Sequence, residues 1–442
     1  MPTKKITKKT VSSKPKMAVV GIGYVGLPVA LIFADKGYDV VGLDVDQARV
    51  DMINAGINPI KGREPGMDDL VKKVAKTKNF IASTNPETLA DRDMILVSVQ
   101  TPVEGDSHLP KYEHLRSALK TIARHMKRGA QIVIESTIAP TTMEKVVRPA
   151  VEHENGFEIN KDYLLSNCPE RVMPGKLIYN LTHHDRLVGS FNEKAGQNVK
   201  DLYEKVLGIK VDMTDPLTAE IVKSGENTYR DVQIAFANEM ALLCEAYGAN
   251  VWTVRELMNK CPGRTMHLPG AGVGGHCIPK DGWLLVSGAK DSITTKMIPL
   301  ARSINNFMPQ HMYDLIKMGV YDAGLEVSKI KVAVLGFAYD ANSDDTRNTP
   351  TEDLVKILIH HKIKHIVIDP YVTEYNIDLE KALKDADVVV LMTAHNEYTK
   401  VGLVGLKKML KVKKPVLIDG RNVFDKAKAE KAGFIYKGVG NI

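Results

Sequence analysis

The segment Gly270-Ala271-Gly272-Val273-Gly274-Gly275-His276-Cys277-Ile278-Pro279-Lys280-Asp281 holds a thiol between a run of glycines and a Lys-Asp pair. Glycines add no side-chain bulk, so a substrate can come close to the Cys277 sulfur. A nearby cation favours the thiolate, which is the nucleophilic form. A lone cysteine is ordinarily an inert core residue. The glycines on one side and Lys280-Asp281 on the other set Cys277 apart as a candidate nucleophile.

Between Pro216 and Gly248 the only helix breaker is Gly225, and the pattern predicts one long helix. Lys223 and Asn227, four apart, share a face of it, and Asn238 lies close to three turns further on. A nucleophilic cysteine implies a covalent carbonyl adduct whose oxyanion needs a donor. Lys223 with Asn227 can supply it, and such a donor is worth about 3–4 kcal/mol of barrier. Releasing the adduct with water needs a base, for which Glu170 and Asp281 are the available acids.

The elements that must position these groups begin near the N-terminus. Met17 to Val20 reads as a strand and leads into Gly21-Ile22-Gly23-Tyr24-Val25-Gly26. A helix to about Lys36 follows, then a strand from Asp39 to Leu43 that ends in Asp44. Strand, glycine turn, helix, strand and acid, in that order, form a dinucleotide-binding unit. Gly21 permits the turn, Gly23 lets the backbone approach a pyrophosphate, and Gly26 lets the helix pack on the sheet. Asp44 suits the ribose hydroxyls and repels a 2′-phosphate, which favours NAD over NADP; Asp46 is a weaker candidate for the same task. Hydride transfer and a nucleophilic thiol together suggest oxidation of an aldehyde through a thiohemiacetal to a thioester. Starting from an alcohol, one site performs both oxidations and consumes two NAD.

Further strands are predicted over 94–99, 131–135, 163–167 and 186–188. Thr101-Pro102, Ser136-Thr137 and Glu170-Arg171 follow three of them, where open α/β sheets bind their ligands. The last third starts again with strands at 331–335, 365–368, 388–392 and 416–418, a second α/β unit. It has no GxGxxG, so its strand-end residues Asp344, Asp345, Arg347, Asp369 and Arg421 suit a different polar ligand.

A chain of 442 residues implies two or three domains. With 44% hydrophobic and 26% charged residues, it has the composition of an ordinary globular protein. No apolar run approaches the roughly 18 residues that span a bilayer. The formal charge of +7 points to a polyanion only at first sight, because residues 1–16 hold six lysines and no acid. Without them the chain is near neutral, so the tail reads as solvated and disordered, with a polyanion-binding arm as the alternative. It lacks the apolar core of a secretory signal. The four cysteines have neither CxxC spacing nor disulfide-scaffold density, which fits reduced thiols in a cytoplasm. No metal, nucleic acid or membrane partner is expected.

From residue 17 to about 440 the chain resembles the UDP-glucose/GDP-mannose dehydrogenase family. The resemblance rests on the glycine fingerprint with Asp44, Thr101-Pro102, Ser136-Thr137-Ile138-Ala139-Pro140, Pro169-Glu170-Arg171 and the Lys223 helix. It continues through Gly274 to Asp281, Asp344-Asp345-Thr346-Arg347 and Asp419-Gly420-Arg421. It implies a four-electron NAD enzyme acting on a nucleotide sugar, with two Rossmann-like doubly wound domains joined by a long central helix that also forms a homodimer. The domain boundaries are then a tail at 1–16, an NAD-binding domain at 17–211, a central dimerisation and catalytic region at 212–310, and a UDP-sugar domain at 311–442.

The resemblance also implies residue roles. Cys277 matches the nucleophile, and Lys223 and Asn227 the pair that orients substrate and stabilises the oxyanion. Glu170, Thr137 and Asp281 match residues that position water and move protons. Tyr24, Val25, Thr101, Thr137, Lys280 and Arg347 fall near the cofactor. Glu170, Arg171, Val172, Lys223, Asn227, Arg230, His267, Gly274, Tyr339 and Arg421 fall near the substrate, and Arg264 reaches it across the dimer interface. Where the family usually has a lysine after the aromatic, this chain has Tyr339-Asp340. The stretches 168–175 and 226–232 look like the branch that oxidises UDP-N-acetylmannosamine; UDP-N-acetylglucosamine and UDP-glucose are the alternatives.

Overall fold

The computed structural model describes residues 14–60, 62, 64–105 and 107–442. The chain divides into two compact units. The first holds residues 14–60, 64–101 and 111–220; the second holds Gly62, most of 102–110, and 221–442. Residues 1–13 of the basic tail lie outside the described residues. Lys14 and Lys16 belong to the folded unit: Lys14 Nζ donates to Lys36 O at 2.7 Å and Lys16 Nζ to Asp91 at 2.5 Å.

The first unit is built on an eight-stranded sheet: β1 Met17–Val20, β2 Val40–Leu43, β3 Phe80–Ser83, β4 Met94–Val97, β5 Gln131–Ile134, β6 Leu164–Asn167, β7 Arg186–Ser190 and β8 Val211–Thr214. Their order is β3-β2-β1-β4-β5-β6-β7-β8, parallel throughout except for β6 against β7. All four residues of β1, β4 and β5 are buried. Such unbroken apolar runs are the signature of parallel strands covered on both faces. The order reverses between β1 and β4, which opens a crevice at their carboxyl ends.

The second unit has a five-stranded parallel sheet: β9 Lys331–Leu335, β10 Lys364–Ile368, β11 Val388–Leu391, β12 Val416–Asp419 and β13 Ile435–Gly438, ordered β10-β9-β11-β12-β13. A 32-residue helix, Pro216–Tyr247, starts in the first unit and continues into the second. The second unit also holds the helices Ile278–Ser287 and Met297–Asp322. A buried polar chain joins these parts: Arg302 pairs with Asp231 at 2.8 Å, Asn305 bonds both Asp231 and Asn238, and Asn238 accepts the Gly270 N–H. Asn238 therefore supports the start of the glycine segment.

The two sheets share a local device. In the first, the acid after β2, Asp44, accepts the N–H of Ile22 in the loop after β1, at 3.0 Å. In the second, the acid after β10, Asp369, accepts the N–H groups of Phe337 and Ala338 after β9. Asp369 is fully buried and also takes a bond from His395, while Asp44 keeps 9% of its surface.

Candidate active site

In the first unit the glycine turn is shaped by close approach. Gly21 has φ +87°, and a Cβ at Gly26 would stand 2.0 Å from the Gly21 carbonyl oxygen. Gly23 differs: no atom lies within 4 Å of where its Cβ would be, so its backbone faces open space. The helix that follows, Gly26–Asp35, has no acid in its first turn, which leaves its N-terminal dipole for an anion. Asp44 lies at the end of β2, where Arg49 reaches it at 3.2 Å. These features fit a dinucleotide, with its pyrophosphate over Gly23 and the helix N-terminus and a ribose at Asp44. Asp46 is occupied otherwise, as the N-cap that accepts the Arg49 N–H.

The neighbouring strand ends carry the other residues of this unit. Thr101 after β4 donates to the Thr137 carbonyl at 2.6 Å, which ties two loops together. After β6, Glu170 is 9% exposed and accepts the Val172 N–H, and Arg171 donates to the Asp185 carbonyl. Tyr24 donates to Glu64, which also holds the Gly175 and Leu177 N–H groups. Behind the strand ends lies a buried ion pair, Glu135 with Arg186 at 3.0 Å, in which Glu135 also accepts from Tyr203 and Ser98. Burial beside it pushes the Cys168 thiol up to about 12, so that cysteine is inert.

The second unit gathers the thiol and its partners. Cys277 is the N-cap of helix Ile278–Ser287 and is partly exposed. A helix N-terminus favours a thiolate. One turn on, Asp281 is fully buried: Asn227 Nδ2 donates to Oδ2 at 2.6 Å, and the Lys280 ammonium forms an ion pair with Oδ1 at 3.1 Å. Lys223 is 6% exposed, and no ion pair holds its ammonium among the described residues.

The segment before the thiol is braced by the loop after β9. Gly275 N–H donates to the Arg347 carbonyl at 2.8 Å, and Asn348 Nδ2 donates to the Gly275 carbonyl at 3.0 Å. A Cβ at Gly274 would stand 2.5 Å from the Tyr339 Cβ, so only glycine fits. Arg347 pairs with Asp345, which raises its pKa, and Tyr339 and Cys277 nearby act the same way. Burial, with Lys280 and Arg347 nearby, pushes His276 down to about 4. Burial and the Asp345 and Asp340 charges raise Tyr339. Arg421 donates to the Met392 carbonyl; burial lowers its pKa, and Asp340 acts against that. Asp340 therefore acts on Arg421, a residue the sequence reading expects near the substrate. Burial, with Arg230 and Arg255, lowers His267, and Arg264 is exposed and bonded to the Pro262 carbonyl.

Of the expected residues, Cys277, Lys223, Asn227, Asp281, Lys280, Arg347, Tyr339, Gly274 and Arg421 lie in the second unit. The glycine turn, Asp44, Thr101, Thr137, Glu170, Arg171 and Val172 lie in the first. Sequence reading missed Arg49, Glu64, Glu135, Arg186 and His395; it offered Asp369 to a polar ligand, but that acid is fully buried and taken up by His395 and two backbone N–H groups. Only Arg49, close behind Asp44, left a local signal.

Three domain profiles of the UDP-glucose/GDP-mannose dehydrogenase family match the chain: the NAD binding domain over residues 15–207, the central domain over 217–307 and the UDP binding domain over 333–426. The chain is 40% identical over 426 residues to UDP-N-acetyl-D-mannosamine dehydrogenase of Pyrococcus horikoshii, covering 96% of this chain and 99% of the relative. The solved UDP-D-ManNAc dehydrogenase of P. horikoshii superposes with a TM-score of 0.89 at 38% identity, covering 96% of this chain and 99% of that one. An NDP-N-acetyl-D-galactosaminuronic acid dehydrogenase of Methanosarcina mazei Go1 gives 0.86 at 36% identity, over 96% and 95%. Among the described residues, no helix is long and apolar enough to cross a membrane.

Proposed function

Because the chain belongs to the UDP-glucose/GDP-mannose dehydrogenase family, we propose that it oxidises C6 of UDP-N-acetyl-D-mannosamine from alcohol to carboxylate, with the consumption of two NAD. The observation that carries this reading is Cys277 at a helix N-terminus, one turn from Asp281, which Asn227 and Lys280 hold. The substrate follows the relatives' names and the stretches 168–175 and 226–232.

Bound NAD supplies the hydride acceptor in each oxidation. Lys223 and Asn227 hold the C6 oxygen and stabilise its negative charge. Cys277 Sγ adds to the aldehyde carbon and gives a thiohemiacetal, whose oxidation leaves a thioester. Glu170, Thr137 and Asp281 position the water that hydrolyses it, and the thiolate leaves as the carboxylate forms. Arg171, Val172, Arg230, His267, Tyr339 and Arg421 hold the UDP-sugar, and Lys280 and Arg347 lie towards the cofactor.

The working unit in this reading is a cytoplasmic homodimer, with 17–211 binding NAD, 212–310 dimerising and 311–442 binding the UDP-sugar. Tyr229, Phe236 and Leu243, seven apart on the long helix, are exposed at 65%, 49% and 45%. An apolar stripe at that spacing suits a helix of a second copy, and Arg264 then reaches the partner's substrate.

The test is NADH release from purified protein given UDP-N-acetylmannosamine, UDP-N-acetylglucosamine or UDP-glucose, each run to completion. Two NADH per UDP-N-acetylmannosamine, with little from the others, supports the reading. Two from another sugar keeps the chemistry and replaces the substrate. One per sugar removes the thioester.

A further inference from the structure

The loop after Thr137 combines three uncommon features. Thr141 has φ +74°, a left-handed conformation that a β-branched residue rarely adopts. The turn that follows, Met143–Val147, is a π-helix, a form concentrated at functional sites. Glu220, 1% exposed, aims its carboxylate at this bend: Oε2 accepts the Thr141 N–H and Oε1 the Met143 N–H, each at 2.7 Å. Tyr112 adds two contacts, accepting the Ala139 N–H and bonding the Thr142 hydroxyl.

Strained backbone persists only where its surroundings over-determine it. Here the loop is held at both ends, at the Thr137 carbonyl by Thr101 and at Thr141 to Met143 by Glu220. Glu220 lies in the first turns of the long helix, one turn before Lys223. We propose that Glu220 is a positioning residue that fixes the backbone carrying Thr137 for hydrolysis of the thioester. The inference rests on the water-positioning role given above to Thr137. Glu220 itself touches neither substrate nor cofactor; it acts through the loop.

Glu220→Gln keeps the shape but turns one acceptor into a donor that faces an N–H. The experiment follows NADH in a rapid-mixing trace with UDP-N-acetylmannosamine and weighs the intact protein quenched during turnover. The expected trace is a burst of NADH followed by a steady rate at least tenfold slower than wild type. Protein carrying the sugar acyl on Cys277 should accumulate. Thr141→Gly added to this variant should restore the rate, because glycine takes the left-handed conformation without strain. Glu220→Asp, read the same way, serves if the glutamine variant does not fold. An unaltered steady rate, or a slower one with no acyl-protein and no recovery by glycine, overturns the role of Glu220. The wild-type trace tests the reaction separately: fewer than two NADH per sugar overturns the chemistry, while two NADH beside an unaltered variant overturns only Glu220.

Discussion

Asn227, on the long helix, donates its amide to Asp281 Oδ2 across 2.6 Å, on the helix that Cys277 caps. With Lys280 on the other oxygen, this bond makes one unit of a buried acid, a buried base and a neutral donor. Asp281→Asn keeps the volume and leaves Lys280 without its counter-charge. Breaking a buried pair from one side costs about 3–5 kcal/mol. Urea denaturation should show a loss of that size, and an unchanged midpoint would mean that the pair is not held as described.

Cys277→Ala removes a single sulfur from a partly exposed position. Turnover should fall by roughly a thousandfold or more, while circular dichroism and the melting temperature stay near wild type. Full two-NADH turnover by this variant would rule out the thiol as nucleophile.

His276 and Glu220 predict opposite slopes of stability with pH. His276, held down to about 4 by burial and two cations, is neutral in the folded protein at any pH where the unfolded chain begins to protonate it. Its contribution is complete above about 6.5 and is lost as pH falls towards 4. An NMR titration of the imidazole should find a midpoint near 4, and a midpoint above 6 would contradict its placement.

Glu220 is pushed up to about 7 by burial, against which its backbone N–H partners act. A carboxyl raised in this way binds its proton more tightly folded than unfolded. Its contribution is complete below about 4.5 and is lost as pH rises through 7, a span of roughly 3 kcal/mol. Stability plotted against pH from 4 to 8 should fall more steeply for wild type than for Glu220→Gln between about 4.5 and 7. Parallel curves would show that Glu220 does not titrate there.

Asp44 sits between the turn after β1 and Arg49. Asp44→Ala removes the ribose acceptor and frees an arginine suited to a 2′-phosphate. The ratio of NADP to NAD affinity should rise by about tenfold, or 1.4 kcal/mol. An unchanged ratio would place the ribose elsewhere.

The sequence reading located the strands at the centre of each sheet because their residues are buried on both faces, so their apolar runs are unbroken. It missed β3, β8 and β13, and all three are edge strands. Phe-Ile-Ala-Ser, Val-Asp-Met-Thr and Ile-Tyr-Lys-Gly each leave residues on an open side, and the apolar signal breaks up there. The long helix was legible from its periodicity and its single glycine. Cys277 stood out by the glycines and the Lys-Asp pair beside it, and Lys223 and Asn227 by their four-residue spacing on the long helix. Glu220 and His395 did not, because each acquires its role from a partner more than twenty residues away. Local pattern carries no trace of such pairs.

The imidazole of His395 sets the two sheets apart at the position they share, the acid that follows the second strand of each. In the first sheet the acid beyond β2 keeps a face open; in the second, His395 Nε2 at 3.0 Å stoppers the equivalent acid, and His395 Nδ1 accepts the Asn342 N–H at 2.8 Å. Grafting a GxGxxG turn onto β9 would therefore not make a second dinucleotide pocket. The engineer would first have to draw the stopper, and the loop pinned by Asn342 would come loose with it.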